Sequence, residues 1–247
     1  SAFPNEVIFT ASGTEANNLV LKGFPDHRLL VSATEHASVL NAVPDADIVP
    51  VDGDGVVDME ALEQLLSRHP DTKRSDVEGS QEKTSEDPSV TALPQDDVSF
   101  LLSIQLANNE TGVIQRVAEI AKIVHAAGGV LHCDAAQALG KVPVDFGVLG
   151  ADMLTLSAHK FGGPQGAGAL VVRDKLPIRP LIVGGGQELR RRAGTENIAA
   201  IAGFAKAVEC MPDLSHLRGW LDDMEVELLQ AAQGSAVFGK QAARLPN

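Results

Sequence analysis

A lysine between a short apolar segment and a glycine-rich turn is the first residue of chemical interest. Lys160 closes the segment 157–160 and comes directly before Phe161, Gly162 and Gly163. Glycines let a ligand approach the lysine closely. A lysine whose pKa is lowered by burial or by nearby cations can form a Schiff base with a carbonyl compound. The segment by itself favours the alternative of a solvated lysine ahead of a surface loop.

Two other segments suit a phosphorylated heterocyclic ligand. Asp134 follows the apolar run 130–133, where its carboxylate can pair with a protonated pyridine nitrogen. Ser12, Gly13 and Thr14 precede a predicted helix, whose free N–H groups and dipole can bind a phosphate. Each segment has a second reading, because Asp134 and Ser12 are also good helix N-caps.

Short apolar runs alternate with amphipathic stretches along the chain. Strands are predicted at residues 6–10, 28–32, 98–106, 130–133, 153–157 and 169–172, and helices at 117–127, 197–210 and 214–230. This alternation predicts an α/β fold with a mostly parallel sheet and helices on both faces. Ligands bind at the carboxyl ends of the strands in such sheets. The polar clusters follow directly after the strands, which places them where a site is expected.

Composition excludes several classes of protein. The net charge of −13 argues against a nucleic-acid-binding protein, which needs a basic face. No apolar run reaches the ~20 residues of a membrane helix, and residues 1–5 do not open a signal peptide. Cys133 and Cys210 are too few for a disulfide framework. We therefore expect a soluble, cytoplasmic protein with no nucleic-acid or membrane partner.

Residues 71–97 differ from the rest of the chain. They are rich in Ser, Thr, Pro, Gln and acidic residues and contain almost no large apolar ones. Such a segment cannot bury enough surface to offset the entropy of ordering it. It is predicted to be a mobile, acidic surface insertion, and an interaction segment is the alternative.

The order of the motifs is more specific than any one of them, and it closely resembles the class-V aminotransferases. Within that group it resembles the cysteine desulfurases of the nitrogen-fixation and iron–sulfur-assembly type. The matching segments are 9–18 (FTASGTEANN), 35–36 (EH), 108–112 (NNETG), 132–137 (HCDAAQ), 157–160 (SAHK) and 192–197 (RAGTEN). They span most of the chain outside the acidic insertion.

The resemblance implies a pyridoxal-phosphate (PLP) site on a transferase of fold type I, with a seven-stranded type of sheet. Lys160 would bind PLP through its amine and later move protons, and Asp134 would bind the pyridine nitrogen. Gln137 would bind the ring hydroxyl, and His36 would stack on the ring and act as acid or base. Asn109 would lie near the ring hydroxyl and the substrate carboxylate.

The resemblance also assigns the phosphate contacts and the oligomeric state. The phosphate would be held by Gly13, Thr14, Ser157 and His159. Thr195 would reach the phosphate of a partner subunit, so a homodimer with shared sites is expected. Residues 1–209 would form the PLP-binding large domain, and 210–247 would begin an incomplete small domain.

The implied reaction converts L-cysteine to L-alanine and leaves the sulfur on an enzyme thiol as a persulfide, for an iron–sulfur scaffold or another sulfur acceptor. We expect the sequence to be a fragment that lacks the family's N-terminal segment and the loop with that thiol. Cys133 should face away from Asp134, because neighbouring strand residues point to opposite faces. Cys210 is interpreted as a core or hinge residue near a helix end. Neither cysteine is expected to accept the sulfur.

Other interpretations stay open at this point. The chain could act on selenocysteine, transfer amino groups, or be a degenerate PLP-fold protein without turnover. A metal site formed by His132, Cys133 and His159 is disfavoured, because adjacent strand residues cannot face one ion. The glycine-rich run 162–168 precedes a strand and is not a dinucleotide fingerprint.

Overall fold

A computed structural model describes residues 2–67, 100–174 and 176–246, and it contains a seven-stranded sheet. The strands are β1 (Val7–Thr10), β2 (Arg28–Ser32), β3 (Asp47–Val49), β4 (Phe100–Gln105), β5 (Val130–Asp134), β6 (Met153–Ser157) and β7 (Gly168–Val172). Their order across the sheet is β1-β7-β6-β5-β4-β2-β3. Strands β6, β5, β4, β2 and β3 are parallel, and β7 runs antiparallel to both β6 and β1.

Helices cover both faces of the sheet. They are α1 (Gly13–Gly23), α2 (Ala37–Leu40), α3 (Met59–Ser67), α4 (Val117–Ala126), α5 (Phe146–Leu149), α6 (Ile198–Glu209) and α7 (Leu217–Ala231). On β4, Leu101 packs in the hydrophobic cluster under α1, and its neighbour Leu102 packs in the cluster under α4. Successive strand residues point to opposite faces, so a strand buried on both sides needs an unbroken apolar run. Every residue of β4 and β5 is buried.

The parallel strands bring their carboxyl ends to one edge of the sheet. In the strand register Gln105 at the end of β4 lies beside Asp134 at the end of β5, and Asp134 lies beside Thr155 on β6. Helix α1 begins at the same edge, because Gly13 at its start lies beside Ser157 at the end of β6. Polar residues that are far apart in sequence therefore meet at one edge, as expected for a ligand site in this class of sheet.

The predicted fold class is confirmed, with seven strands in a mostly parallel sheet flanked by helices. The predicted strand 153–157 has the same bounds as β6, and helix α4 ends one residue earlier than predicted. The short strand β3 and the helix α3 were not predicted from the sequence. The acidic segment 71–97 lies outside the described residues, and the division at residue 209 remains a prediction.

Within the described ranges, none of the helices combines the length and the apolar character needed to cross a bilayer.

Gly168 permits the closest approach between β7 and the turn before α1. A Cβ atom at this position would lie 2.5 Å from the carbonyl carbon of Ser12 and 2.7 Å from its oxygen. Both atoms belong to the backbone, so they cannot move aside as the tip of a side chain can. The small residue at the start of β7 therefore lets the Ser12–Gly13 turn sit against the sheet.

We predict that Gly168→Ala lowers the free energy of unfolding by about 1–3 kcal/mol, as overpacking does in other cores. Gly219→Ala in α7 is the matched control, since no described atom lies within 4 Å of its Cβ position. The control should be neutral or stabilised by up to about 1 kcal/mol, because alanine favours a helix over glycine. Urea unfolding of both variants checks this, and equal stability of the two would contradict the close contact.

Candidate functional site

A cavity of about 230 Å³ opens at the carboxyl ends of the parallel strands. Nine of the ten site residues predicted from the sequence line it. They are Gly13, Thr14, His36, Asn109, Asp134, Gln137, Ser157, His159 and Lys160. The tenth, Thr195, lines a second cavity of about 240 Å³. The tertiary structure thus brings together residues from five separate segments of the chain.

One wall of the cavity is the turn that begins α1. The Ser12 hydroxyl caps the helix by accepting a hydrogen bond from the backbone N–H of Glu15 at 3.1 Å. A Cβ at Gly13 would lie 3.2 Å from the Cβ of Ser157, so glycine brings the helix start close to the end of β6. The Ser157 hydroxyl in turn lies 3.1 Å from Nδ1 of His159. A helix N-terminus beside hydroxyl and imidazole groups is suited to a phosphate.

Asp134 lies at the end of β5 and is only 7% exposed. Its Oδ2 accepts a hydrogen bond from Nδ2 of Asn17 at 2.7 Å, and its Oδ1 accepts one from the backbone N–H of Ala136 at 2.9 Å. Burial raises the pKa of this carboxyl, while these two hydrogen bonds and the charges of His36 and Lys160 act in the opposite direction. A cationic ring nitrogen would complete the pairing of this buried carboxylate.

His36 and Lys160 are both exposed and both line the cavity. His36 is the N-cap of α2, where its Nδ1 accepts a hydrogen bond from the backbone N–H of Ser38 at 3.1 Å. Lys160 lies in a short 3₁₀ helix, Ala158–Phe161, that directly follows β6. The cap orients the imidazole, and the 3₁₀ turn orients the amine, from two different strand ends.

A second amine lies near the first. Nζ of Lys141 donates a hydrogen bond of 2.7 Å to Oε1 of Gln137, which lines the cavity. Burial lowers the pKa of Lys141, and the positive charge of Lys160 lowers it further. The two amines are therefore close enough to interact electrostatically, and the oxygen of Gln137 is engaged by Lys141.

Sequence reasoning did not assign a role to Glu35, which the structure buries beside the cavity. Its Oε1 accepts a hydrogen bond of 2.8 Å from the backbone N–H of Gln105, and its Oε2 has no partner among the described residues. Burial raises the pKa of this carboxyl well above its usual range, and the charge of Asp134 contributes in the same direction. Glu35 thereby joins the segment that carries His36 to the end of β4.

His132 is fully buried and already bonded on both ring nitrogens. Nδ1 lies 2.8 Å from the hydroxyl of Ser103, and Nε2 lies 2.9 Å from the hydroxyl of Thr155. Burial lowers the pKa of His132 to about 3, so the ring is neutral at physiological pH. No cluster of three or more potential metal ligands occurs in the described ranges, and His132 has a structural explanation without one.

The two cysteines lie away from the cavity. Cys133 packs in the hydrophobic cluster under α4, on the face opposite Asp134, and burial raises its pKa well above the usual value. Cys210 is the C-cap of α6 and is exposed, so its interpretation as a core residue is wrong, while its interpretation as a hinge residue stays a prediction. The sequence pattern did not show this exposure, because Cys210 lies between the charged Glu209 and the apolar Met211.

Thr195 lies on a segment tied to α1 by an ion pair. Nε and Nη2 of Arg192 donate hydrogen bonds to the two carboxylate oxygens of Glu15, at 2.7 and 3.2 Å. Glu15 Oε2 also accepts from the backbone N–H of Ala11 at 2.9 Å. The ion pair thus links the 192–197 segment to the turn that begins α1, although Thr195 itself is exposed.

One family model matches most of the chain. The family model for aminotransferase class-V matches residues 1–74 and 84–245. The chain belongs to the class-V aminotransferase family. This confirms the resemblance seen in the motifs, and class-V aminotransferases are PLP-dependent enzymes.

Similar class-V proteins carry the name cysteine desulfurase. The chain is 36% identical to "Cysteine desulfurase" of Sinorhizobium fredii over 263 residues, which cover 99% of this chain and 60% of that protein. It is 36% identical to "Cysteine desulfurase IscS 1" of Archaeoglobus fulgidus over 260 residues, covering 98% and 60%. The chain therefore spans about 60% of the length of these curated relatives.

Two solved structures that are similar in sequence share the fold. The NifS-like protein from Rickettsia africae has a TM-score of 0.81 and 36% identity, and the match covers 98% of this chain and 62% of that one. DndA from Streptomyces lividans has a TM-score of 0.73 and 29% identity, covering 100% and 67%.

The cavity residues fit PLP on structural grounds as well. The glycine at position 13 leaves room between α1 and Ser157 that a side chain would fill. The buried carboxylate of Asp134 has donors on one side and opens to the cavity on the other. A lysine, an imidazole and a helix N-terminus complete a donor set that matches an aldehyde, an aromatic ring and a phosphate.

We predict that Glu35→Gln removes a pH-dependent loss of stability. The folded-state pKa of Glu35 is raised above its unfolded value, so its contribution is full below about pH 4.5 and is lost as the pH rises through the folded pKa. The difference in unfolding free energy between wild type and variant should change by up to about 1.4 kcal/mol per pH unit in that range.

Urea unfolding from mildly acidic to mildly alkaline pH measures this difference. Glu63→Gln, an exposed change of the same type on α3, is the matched control. A constant difference between wild type and Glu35→Gln across the range would show that Glu35 does not bind an extra proton in the fold.

Proposed function

We propose that this chain is the PLP-binding part of a cysteine desulfurase, which converts L-cysteine to L-alanine and passes the sulfur to a thiol as a persulfide. The observation that supports it is the meeting of Lys160, His36 and Asp134 with the N-terminus of α1 in one cavity. The relatives' names support the desulfurase reaction over other class-V chemistry. When bound, PLP supplies an electron sink that labilises bonds at the substrate α-carbon.

The chain's own residues would divide the work by position. Asp134 holds a negative charge where the ring nitrogen would lie, and Asn17 and Ala136 keep that carboxylate in place. The Nζ of Lys160 would bind the aldehyde carbon of PLP and would later carry protons. The imidazole of His36 is held by its cap in the cavity lining, where it would stack on the ring and exchange a proton.

The phosphate and substrate ends would be bound by backbone and neutral side chains. The N–H groups at Gly13 and Thr14, with Ser157 and His159, line the cavity and would hold the phosphate. Asn109 would contact the ring hydroxyl and the substrate carboxylate. Asn109 is exposed and donates a hydrogen bond of 2.6 Å to Oε1 of Glu110, so the substrate would have to compete for this amide.

We propose that the sulfur-accepting thiol lies outside these 247 residues. Cys133 is buried on the far side of β5, and Cys210 caps α6 away from the cavity lining of the described chain. The final acceptor would be an iron–sulfur scaffold or another sulfur-transfer protein, as the iron–sulfur-assembly type of relative suggests. The cytoplasm is the proposed location, in line with two free cysteines.

We propose a homodimer in which Thr195 reaches the partner's phosphate. Thr195 is exposed, and large apolar side chains around it are exposed as well, including Val183 at 78%, Leu189 at 67% and Ile198 at 74%. Apolar groups clustered around one segment are typical of a surface that another protein covers.

Lys160→Ala is expected to abolish the visible absorbance that PLP acquires on binding the protein, because no covalent bond to the cofactor can form. Asp134→Asn should keep the lysine bond but weaken PLP binding, since a neutral amide cannot pair with the ring nitrogen. Absorbance spectra and PLP release on dialysis measure the two effects. A visible band in Lys160→Ala equal to that of wild type would remove Lys160 from its proposed role.

The reaction is tested by adding L-cysteine and a thiol reductant to PLP-loaded protein that also carries the sulfur-accepting thiol, and measuring L-alanine and sulfide. Equal amounts of both products support desulfuration. Selenocysteine as the faster substrate would favour a lyase for selenium, and amino transfer to a 2-oxo acid without sulfide would favour an aminotransferase. PLP binding without any of these products would favour a non-catalytic PLP-fold protein.

A further inference from the structure

An unbroken chain of hydrogen bonds connects Asp134 to His36 through two residues that sequence reasoning left without a role. Nδ2 of Asn17 lies 2.7 Å from Oδ2 of Asp134 and 2.9 Å from the hydroxyl of Ser38. That hydroxyl lies 2.8 Å from Nδ1 of His36. Asn17 and Ser38 both line the cavity, and Asn17 is only 1% exposed.

The hydrogens in this chain can be assigned from the donors available. The amide nitrogen of Asn17 is a donor only, and its two hydrogens go to Asp134 and to the Ser38 oxygen. The Ser38 oxygen therefore accepts from Asn17, which leaves its own hydrogen for Nδ1 of His36. The backbone N–H of Ser38 donates to the same Nδ1 at 3.1 Å. Nδ1 is thus an acceptor twice over, and the neutral ring carries its proton on Nε2.

The orientation of the Asn17 amide follows from the carboxylate. Turning the amide over would place its oxygen against Oδ2 of Asp134, where two acceptors would repel each other. In the observed orientation Oδ1 of Asn17 is buried without a partner among the described residues. A buried acceptor without a partner opposes folding. The charge of Asp134 therefore sets the orientation of the Asn17 amide, although this leaves the amide oxygen without a hydrogen-bond donor in the described part of the chain.

We propose that Asn17 and Ser38 are positioning residues that hold His36 in the Nε2–H tautomer, with Asp134 setting the direction of the chain. The role of this tautomer in catalysis rests on the proposed function, whereas the tautomer itself is a property of the protein without cofactor or substrate. His36 then presents an N–H donor at Nε2, and its Nδ1 lone pair is occupied by Ser38. The same carboxylate that would bind the ring nitrogen also fixes the imidazole that would stack on the ring.

The tautomer can be measured without cofactor or substrate by long-range ¹H–¹⁵N NMR of the imidazole at alkaline pH. Wild type should show only the Nε2–H form of His36. Ser38→Ala keeps the backbone N–H but removes the hydroxyl, so the ratio of Nε2–H to Nδ1–H should fall roughly five- to tenfold, as for the loss of one hydrogen bond. Asn17→Ala frees the Ser38 hydroxyl to accept instead, and should lower the ratio in the same direction.

Asn18→Ala is the matched control. Asn18 follows Asn17 on α1 and donates to the backbone oxygens of Thr14 and Ser38, at 3.0 and 3.3 Å, without joining the chain to His36. Its removal should leave the tautomer ratio unchanged. Ser38→Thr, which keeps the hydroxyl, should restore the wild-type ratio. An Nδ1–H form in wild type, or a ratio in Ser38→Ala equal to wild type, would overturn the proposal.

A second measurement separates this proposal from the proposed function. In the PLP-loaded protein, Ser38→Ala should slow the spectral change caused by L-cysteine at least about fivefold while PLP stays bound, and Asn18→Ala should not. A protein that shows the expected tautomer ratios but no reaction with L-cysteine contradicts the proposed function alone. A Ser38→Ala variant with the wild-type tautomer and the wild-type rate contradicts the positioning role alone.

Discussion

A buried carboxylate at the end of a central strand is the constraint on which the site depends. Asp134 is almost fully enclosed, so its charge must be balanced by donors that the fold brings to it. Asn17 comes from α1, Ala136 from the turn after β5, and the side chains of His36 and Lys160 from two other strand ends. Each of these groups must be held in place for the carboxylate to remain charged, and holding them assembles the cavity.

Close approach between backbone segments lets these groups meet. Gly168 and Gly13 leave no side chain between the α1 turn and the ends of β7 and β6. Helix α1 can then place both its free N–H groups and Asn17 at the same edge of the sheet. The N-terminus that suits a phosphate and the amide that pairs with Asp134 are therefore positioned by one helix, and a shift of that helix would disturb both.

Charged side chains hold the loops around the cavity through hydrogen bonds to other elements. Glu35 is buried with one oxygen on the backbone of Gln105, which ties the His36 segment to β4. Arg192 donates two hydrogen bonds to Glu15 and thereby connects the Thr195 segment to α1. These contacts join elements that are distant in sequence. They hold the loops around the cavity in position where no helix or strand does so.

The sequence alone determined the class of fold and most of the cavity lining. Buried parallel strands need unbroken apolar runs, and ligand-binding residues follow their carboxyl ends, so Asp134 and Lys160 could be found from local pattern and motif order. Strand alternation also predicted correctly that Cys133 faces away from Asp134. The short strand β3 and the exposure of Cys210 were not found, since neither has a local signal stronger than its neighbours.

Only the tertiary structure decided the roles of Asn17, Ser38 and Glu35. Asn17 bonds to Asp134, 117 positions away; Ser38 bonds to Asn17, 21 positions away; and Glu35 bonds to Gln105, 70 positions away. The residue pattern of α1 and of the 35–38 segment does not predict these partners. Whether two side chains form a hydrogen bond depends on differences of a few tenths of an ångström in the distance between donor and acceptor. Packing fixes that distance, and residue type does not. Sequence pattern therefore located the chemical groups, and the packing of α1 against the sheet determined how they are oriented toward one another.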